Sequence, residues 1–504
     1  MAALNSESAV SLYNVNRWGG GYFSVGEAGN IVVHPRRRKR DLENIDLMDV
    51  VEEAKNRNLD FPLVVRFQDL LRQRVETLNE AFASAIKELG YQSNYRGVFP
   101  IKVNQLREVV EEILDAGKPY HFGIEAGSKP ELMAALSVHE DDESLIICNG
   151  YKDSEFIRLA LLGRKLEKQV ILVVEKLEEL YQILALAEKE KVEPLIGLRV
   201  RLLSKGAGKW ATSGGENAKF GLSTTDLVAA SKLLKERNLG HCLRLIHFHV
   251  GSQIPDIGTV KRATREAARF YAKLQKMGHE IGIIDVGGGL GVDYDGSRTN
   301  FDSSTNYSLE EYTRDIVHNI KDVLDAEQVP HPIICSESGR ALVAHHSILI
   351  VEAFGSIEKH RDINTEQIQV SENDPKVLQD MAEILAGVGK THRMEDLHDA
   401  QQLRDQAQSM FDLGMLELPE KAKIDTLYWH IAERIVEMSR DMGYVPEEIK
   451  DVETALGDQF ICNYSVFQSL LDHWALGKIF PVMPIHRLNE KQERFGFIVY
   501  ITCD

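Results

Sequence analysis

Several polar or charged residues end short β-rich runs, the position at which parallel barrels carry their working groups. Lys102 is the sharpest of them, because it lies between Ile101 and Val103 in an otherwise apolar run. Loss of solvation should lower the pKa of a partly buried lysine and leave a neutral amine that attacks aldehydes. The alternative is a lysine whose stem packs on apolar surface while its ammonium reaches water. The strand-end residues are Lys102, Glu125, Asn149, Glu175, Arg199, His249, Gly287–Gly289, Glu337, Gly339 and Arg340.

The other strand ends offer what a phosphorylated aromatic ring needs. Gly287–Gly289 allow backbone amides to approach a phosphate closely, and Arg340 supplies a guanidinium. The alternatives are a sharp loop at the glycines, a satisfied core histidine at His249 and an ordinary ion pair at Glu337. Together, an aldehyde-binding lysine, phosphate donors, a flat ring partner and an acid for a ring nitrogen match the demands of pyridoxal phosphate.

Eight β-rich runs alternate with amphipathic helical patterns before residue 340. This alternation predicts parallel strands with crossover helices, and eight units favour a (β/α)8 barrel over an open sheet. The predicted fold class is α/β: a TIM-like (β/α)8 barrel, a β domain built from N- and C-terminal segments, and an inserted helical bundle. The runs are Tyr95–Val103, Tyr120–Glu125, Ser144–Asn149, Val170–Glu175, Leu195–Leu202, Leu243–Val250, Ile281–Gly287 and Pro332–Glu337.

The segments outside the barrel predict the rest of the domain plan. Residues 371–457 place apolar residues at helical spacing without a strand-like run, which predicts the bundle. Strand-like runs at Ser347–Phe354, Phe460–Tyr464, Ile479–Ile485 and Phe495–Thr502 predict β structure around it. The predicted domains are residues 1–68 (N-terminal segment of the β domain), 69–345 (barrel), 346–370 (β-domain strands), 371–457 (bundle) and 458–504 (C-terminal β domain, incomplete).

Composition excludes several classes of protein. The 504 residues are 43% hydrophobic, which excludes a wholly disordered or fibrous chain, and 59 basic against 77 acidic residues give a net charge of −18. We therefore expect no nucleic-acid or membrane partner. The sequence has neither an apolar run of membrane-spanning length nor a signal-peptide pattern. Five scattered cysteines without a CxxC pair support neither a disulfide framework nor a cysteine zinc site, and a cytoplasmic location is expected.

Six motifs occur in an order typical of one family. With them the sequence resembles the biosynthetic arginine decarboxylases of bacteria, within the alanine-racemase-like group of pyridoxal-phosphate-dependent decarboxylases that includes the ornithine and diaminopimelate enzymes. The resemblance runs from residue 11 to the last residue and includes the helical insertion. The motifs are Gly97–Gln105, His121–Glu131, Lys219–Leu222, His247–Gln253, Ile284–Tyr294 and Glu337–Arg340.

The resemblance assigns roles to these residues. It implies that Lys102 holds pyridoxal 5'-phosphate, that His249 stacks on its ring and that Glu337 pairs with the pyridine nitrogen. Glu125 and Arg199 match family positions near the cofactor. The implied phosphate-binding residues are Ser252, Gly287, Gly288, Gly289 and Arg340, and Gly339 is implied to bind the cofactor. The implied substrate-contacting residues are Ile284, Asp285, Val286, Gly287, Gly288, Gly289, Leu290, Gly291, Val292, Asp293 and Tyr294.

The resemblance also implies a shared active site in a homodimer or higher homo-oligomer. Cys503 and Asp504 match a family Cys–Asp pair that one subunit contributes to the other's site. The thiol serves the protonation step, and the carboxylate receives the distal cation of the substrate. The family pattern continues beyond this pair with further β segments, and we expect a chain ending at Asp504 to bind cofactor weakly.

The implied function is decarboxylation of L-arginine to agmatine and CO2 in putrescine and spermidine biosynthesis. The alternatives are a decarboxylase of ornithine, lysine or diaminopimelate, or a catalytically inactive pyridoxal-phosphate-binding regulator. Mg2+ is associated with the family, but the sequence offers no convincing carboxylate cluster for it, and metal-binding residues are not assigned.

Overall fold

The structure, a computed structural model of the chain, describes residues 6–36, 44–204, 218–358, 368–389, 393–440, 444–491 and 496–503. Contacts divide the chain into two units. The first comprises Met1–Leu59, Val64–Leu349 and Leu471–Glu490, and the second comprises Asp60–Leu63, Ile350–Leu470 and Lys491–Asp504. In the described ranges, no helix has both the length and the apolar character that crossing a membrane requires.

Short elements precede the barrel. Three of the strands form an antiparallel sheet in which Phe23 pairs with Val33. Its apolar side chains pack in a cluster that includes Tyr22, Leu70 and Leu488, which fixes this sheet within the first unit. The elements are α1 Ser6–Leu12, α2 Val15–Trp18, β1 Phe23–Val25, β2 Ile31–Val33, β3 Ile45–Asp46, α3 Leu47–Asn56 and β4 Leu63–Arg66.

Eight parallel strands close into the barrel that the sequence predicts. Neighbours in sequence pair with each other, and the last strand pairs back with the first, Ile334 opposite Tyr95. Most strand residues are buried, as expected for parallel strands covered on both faces. The prediction of a (β/α)8 barrel is confirmed. The strands are β5 Tyr95–Pro100, β6 Gly123–Ala126, β7 Leu145–Cys148, β8 Gln169–Val174, β9 Leu195–Arg199, β10 Leu243–His247, β11 Ile283–Asp285 and β12 Ile333–Ser336.

A ring of helices surrounds these strands. The first of them precedes β5 and packs between the second and the last, so it serves as the eighth helix. Polar N-caps start several of the others: Asp153 accepts a hydrogen bond from the backbone N–H of Phe156 (2.9 Å), and Ser223 and Asp226 form a capping box. The helices are α4 Gln68–Leu89, α5 Arg107–Gly117, α6 Lys129–Val138, α7 Ser154–Lys165, α8 Leu177–Glu190, α9 Thr224–Glu236, α10 Ile257–Lys276 and α11 Leu309–Glu327.

Alternation along the strands separates two apolar layers. Side chains on the outer face pack against the helices in a large buried cluster, whereas those on the inner face fill the barrel. The residue two positions after an inner side chain faces the same side of its strand. The residues that follow the inner layer in this way therefore face the barrel mouth. The inner residues are Val98, Leu145, Ile147, Ile171, Val173, Leu245, Ile283 and Cys335.

The predicted helical bundle is present in the second unit. Four helices pack around a core of their own that includes Met381, Leu397, Ile424 and Ile431. Pro375 and Pro446 precede two of them, at positions where proline is tolerated. The helices are α13 Lys376–Gly387, α14 Arg393–Asp412, α15 Leu418–Ser439 and α16 Glu447–Leu456, while the short α12 Gly339–Val343 and α17 Leu471–Leu476 belong to the first unit.

The remaining β structure forms two small sheets. β13 Ser347–Ile350 pairs with β4, and β14 Ala353–Ile357, β15 Asp458–Cys462 and β16 Gly496–Tyr500 form a separate sheet. The strand predicted at Ile479–Ile485 is wrong, because this described segment has no regular structure. Pro481 and Pro484 explain the difference, since proline cannot donate to a strand ladder.

Gly123 offers a test of the strand packing. A Cβ there would lie 2.1 Å from the carbonyl oxygen of Leu145 on the neighbouring strand, a backbone atom that cannot move aside. We expect Gly123→Ala to lower the free energy of unfolding by about 1–3 kcal/mol, measured by denaturant unfolding. Gly282→Ala is the control, because its Cβ meets nothing closer than Arg244 at 3.9 Å; equal losses in both variants would contradict this packing.

Candidate active site

The barrel mouth is lined by polar residues that continue the inner layer. Each of them lies two positions after an inner residue, or after an inward glycine in β6 and β9. Hydrogen bonds or short charge contacts join most of them across the mouth. We call this set the polar ring. Its members are almost fully buried: Glu125, Asn149, Glu175, Arg199, His247, Asp285 and Glu337.

Lys102 lies at the edge of this ring, in a short 3-10 turn directly after β5. Its Nζ donates to Glu125 Oε2 at 2.9 Å. The expectation that burial leaves this lysine with a lowered pKa is wrong, because two carboxylates act against the effect of burial. Burial does lower the pKa of Lys102, but the Glu125 and Glu337 carboxylates raise it by more, so the net shift is upward. The structure therefore places a charged lysine at the mouth.

Asn149 joins the two carboxylates nearest to Lys102. Its Nδ2 donates to Glu125 Oε1 at 3.1 Å and to Glu337 Oε1 at 2.6 Å. Burial, followed by the neighbouring Asp285 and Glu125 carboxylates, raises the pKa of Glu337 well above its ordinary value, and only Lys102 and Asn149 act against this. Glu337 is thus a buried acid held by one amide.

Arg340 and Ser252 contact each other after the strand ends of β12 and β10. Arg340 donates to Ser252 Oγ from Nε (3.3 Å) and Nη2 (3.2 Å), and its Nη1 donates to the Tyr294 hydroxyl at 3.1 Å. Gly339 cannot carry a side chain, because its Cβ would lie 2.6 Å from Pro100 Cγ. The predicted phosphate-binding residues Ser252 and Arg340 are therefore close together, and Gly339, predicted to bind the cofactor, directly precedes Arg340.

The glycine loop follows β11 closely. Gly287 has φ +66°, and its Cβ would lie 2.3 Å from the Phe248 carbonyl oxygen, so only glycine fits. Gly287 N–H donates to Asp285 Oδ1 (2.9 Å) and Gly288 N–H donates to His249 Nδ1 (3.2 Å). Among the described residues, the Gly289 N–H is the one of the three that has no such partner. Phosphate binding by all three glycines stays a prediction.

His249 is half-buried beside this loop. His249 Nδ1 accepts a hydrogen bond from the Gly288 N–H, so this nitrogen carries no proton. A neutral imidazole then carries its proton on Nε2. Burial, with Arg199, His247 and Lys102 nearby, holds the pKa of His249 well below its ordinary value. A neutral imidazole facing the mouth suits a ring partner, as the sequence predicts.

A second network of buried charges includes two members of the polar ring. Arg199 Nη1 donates to both Glu175 oxygens, at 3.0 and 3.1 Å. The Glu175 backbone N–H donates to Glu179 (2.8 Å), and Lys152 Nζ lies 3.6 Å from the same carboxylate. This network fixes the direction of Arg199, which the sequence predicts near the cofactor.

These residues fit pyridoxal phosphate. Asp285 Oδ2, His247 Nδ1 and Asn149 Oδ1 are buried polar atoms without a hydrogen-bond partner in the part of the chain that the structure describes. Gly287 and Gly339 leave no room for a Cβ, so the backbone at both positions packs closely against its neighbours. The strand ends supply a lysine, a buried acid, a neutral imidazole and a guanidinium–hydroxyl pair, so the donor set matches the cofactor's aldehyde, ring nitrogen, ring face and phosphate.

Comparisons with known proteins assign the family. A family model described as "Pyridoxal-dependent decarboxylase, pyridoxal binding domain" matches residues 75–344, and one described as "Arginine decarboxylase helical bundle domain" matches residues 371–453. The biosynthetic arginine decarboxylase of Phocaeicola vulgatus is 44% identical over 499 residues, covering 99% of this chain and 78% of that protein. The chain belongs to the biosynthetic arginine decarboxylase family.

Further members agree with this assignment. The biosynthetic arginine decarboxylase of a Nostoc species is 42% identical over 498 residues, covering 99% of this chain and 73% of that protein. The crystal structure of the biosynthetic arginine decarboxylase from Campylobacter jejuni matches with a TM-score of 0.85 at 32% identity, covering 98% of this chain and 78% of that one. The predicted resemblance to the arginine decarboxylase family is confirmed.

The structure separates the predicted substrate-contacting residues into two groups. The side chains of Ile284, Val286 and Leu290 lie in the outer apolar cluster, so any substrate contact there is left to the backbone. Asp293 accepts a hydrogen bond from Ser304 Oγ at 2.6 Å, and Tyr294 faces Arg340. Their contact with the substrate of an arginine decarboxylase stays a prediction.

The predicted Cys–Asp pair belongs to the second unit. Cys503 is exposed, and Asp504 lies outside the described residues. In the arginine decarboxylase family resemblance both come from a neighbouring subunit, and that role stays a prediction.

The sequence alone predicts no role for Asn149, Glu175 or His247, although Asn149 and Glu175 end predicted strands. The missed signal is the period of two: His247 follows Leu245, Asn149 follows Ile147 and Glu175 follows Val173, each one inner position further on.

The Glu175–Arg199 pair gives a stability prediction. Glu175→Gln leaves the nine-tenths-buried guanidinium without its anion, so we expect the free energy of unfolding to fall by about 3–5 kcal/mol, measured by denaturant unfolding at constant cofactor concentration. Glu53→Gln is the matched control, because the Glu53–Arg57 pair is exposed and should lose less than about 1 kcal/mol. Similar losses in the two variants would contradict a structural role for the buried pair.

Proposed function

We propose that this chain decarboxylates L-arginine to agmatine and CO2, using pyridoxal 5'-phosphate held by Lys102, as a step of putrescine and spermidine biosynthesis. The observation that carries the proposal is the connected set Lys102–Glu125–Asn149–Glu337 at the mouth of a barrel in this family. The Asn149 amide links Glu125, the partner of Lys102, to the buried acid Glu337. The cofactor's aldehyde needs the lysine and its ring nitrogen needs the acid, so the two groups must lie at a fixed separation.

The bound cofactor supplies an electron sink at the substrate Cα. The protein's own groups hold the participants in place. Glu125 orients Lys102 at 2.9 Å, and the buried Glu337 carboxylate would accept a hydrogen bond from the protonated ring nitrogen. His249 would lie against the ring face as a neutral imidazole. Ser252, Gly289 and Arg340 would bind the phosphate.

Substrate recognition and protonation are assigned to the Cys–Asp pair. In this proposal Asp504 receives the guanidinium of arginine, and Cys503 supplies the proton to Cα from the neighbouring subunit of a homodimer or higher homo-oligomer. Residues 284–294 contact the substrate along the glycine loop. What supports this is the match to the family motif and the exposure of Cys503. A cytoplasmic location is proposed on the sequence alone.

Mg2+ enters the proposal only through the family resemblance. In the described residues, the one group of three potential ligands is His247, Asp285 and Glu337. These residues belong to the polar ring, and Glu337 is assigned to the ring nitrogen. We assign no Mg2+ ligands.

A substrate panel tests the activity. The holoenzyme is given L-arginine, L-ornithine, L-lysine or diaminopimelate, and released CO2 is measured with identification of the amine product. We expect arginine to give agmatine with the highest kcat/KM of the four. A preference for another amino acid would contradict the substrate assignment, and cofactor binding without turnover of any of them would favour the inactive regulator.

Lys102 makes the cofactor assignment testable. Borohydride reduction of the holoprotein, followed by peptide mass mapping, should place the pyridoxyl group on Lys102, and Lys102→Ala should abolish the label. Lys219→Ala is the control, since Lys219 is an exposed lysine on the same unit and should leave labelling intact. Recovery of the label on Lys152 or Lys219 would contradict the assignment.

Complementation tests the shared site. Lys102→Ala and Cys503→Ala should each be nearly inactive alone, because each lacks one required group. Mixed subunits should regain about a quarter of the wild-type activity, since one of the two sites in half of the dimers keeps both groups. No recovery in mixtures that demonstrably exchange subunits would contradict a site built from two subunits.

A further inference from the structure

When the charged groups of the polar ring are matched in pairs, two carboxylates remain. Glu175 is paired with Arg199, and Glu125 is paired with Lys102. The two remaining carboxylates, Asp285 and Glu337, are both buried. A buried carboxylate without a counter-charge is costly, so this pair needs a cation or a shared proton.

His247 is the residue placed to supply that charge. It is 1% exposed, and its Nδ1 lies 3.2 Å from Asp285 Oδ2 and 3.8 Å from Glu337 Oε1. The backbones fix this arrangement, because His247 on β10 pairs in register with Asp285 on β11. Neither His247 Nδ1 nor Asp285 Oδ2 has a hydrogen bond to another described residue. Two buried polar atoms that lie this close, neither with another hydrogen bond in the described residues, are best explained as an ion pair.

The neighbours of Glu337 show what the cation would do. Asp285 and Glu125 both act to raise the pKa of Glu337, in addition to burial. If Asp285 stays uncompensated, its negative charge favours the protonated form of Glu337, which cannot act as an anion toward a ring nitrogen. A positive charge between the two carboxylates removes that effect.

We propose that His247 is a positioning residue for the reaction: its imidazolium, between Asp285 and Glu337, keeps the Glu337 carboxylate ionised so that the shared proton lies on the cofactor's ring nitrogen. The inference rests on the pyridoxal phosphate part of the proposed function and is independent of which amino acid is decarboxylated. The motif histidines then have separate roles. His249 is the neutral ring partner, and His247 is the buried cation behind the acid.

Affinity for pyridoxal phosphate tests this without using turnover. The cofactor is removed, each variant is titrated with pyridoxal phosphate, and the dissociation constant is read from the change in protein fluorescence. His247→Gln should weaken binding about tenfold or more. Adding Asp285→Asn to that variant should restore most of the affinity, because the anion that His247 offsets is gone while Asn keeps an oxygen for the Gly287 N–H.

The rescue separates electrostatics from packing. If His247 acts only by filling space, the double variant binds no better than His247→Gln, and the proposal is overturned. If His247→Gln does not fold, His247→Asn replaces it in the same pair of measurements.

His279→Gln is the control, because His279 is equally buried but bonded to Ser231 Oγ at 2.7 Å outside the ring; its cofactor affinity should not change. A metal ion that copurifies in stoichiometric amount and is lost with His247 would also overturn the proposal, since it would replace the imidazolium as the cation. Loss of arginine turnover in a protein that still shows the rescue would contradict only the substrate assignment.

Discussion

The hydrogen bonds of one amide, Asn149, determine how the mouth of this barrel works. Its Nδ2 lies between Glu125 and Glu337, at 3.1 and 2.6 Å, and so fixes two buried carboxylates relative to each other. Lys102 is held to the first of them, and the second faces the place assigned to a ring nitrogen. Without this shared donor the two carboxylates would lie in one small space where the effective dielectric constant is low and repulsion between like charges is strong. An uncharged side chain therefore positions the groups on which the proposed chemistry depends.

The strand geometry makes that link possible. In a closed barrel of eight parallel strands, the inner side chains of neighbouring strands meet in layers. An apolar layer fills the barrel, and the next layer is the polar ring. Gly123 and Gly197 allow the strands to pack closely beside Glu125 and Arg199, because side chains there would collide with the neighbouring strands. Packing below the mouth and charge pairing at the mouth are thus consequences of the same alternation.

Much of this arrangement could be predicted from the sequence, and the reasons differ between its parts. Strict alternation of apolar runs with amphipathic helices predicts the barrel, and the uninterrupted helical spacing of residues 371–457 predicts the bundle. Strand-end position predicts Lys102, Glu125 and Glu337. The direction of the Lys102 pKa shift could not be predicted, because it depends on two carboxylates from other strands. The strand expected at Ile479–Ile485 failed because two prolines outweigh an apolar pattern.

The roles of Asn149 and His247 required the closed barrel, since their partners are up to 188 residues away in sequence. In the proposed reaction, Glu337 is an anion that keeps a proton on the cofactor's ring nitrogen. The most direct measurement is the 15N NMR chemical shift of pyridoxal phosphate labelled at that nitrogen and bound to the protein. We expect the shift of a protonated pyridine in the wild-type protein and that of an unprotonated one in Glu337→Gln. An unprotonated shift in the wild type would contradict this role of Glu337.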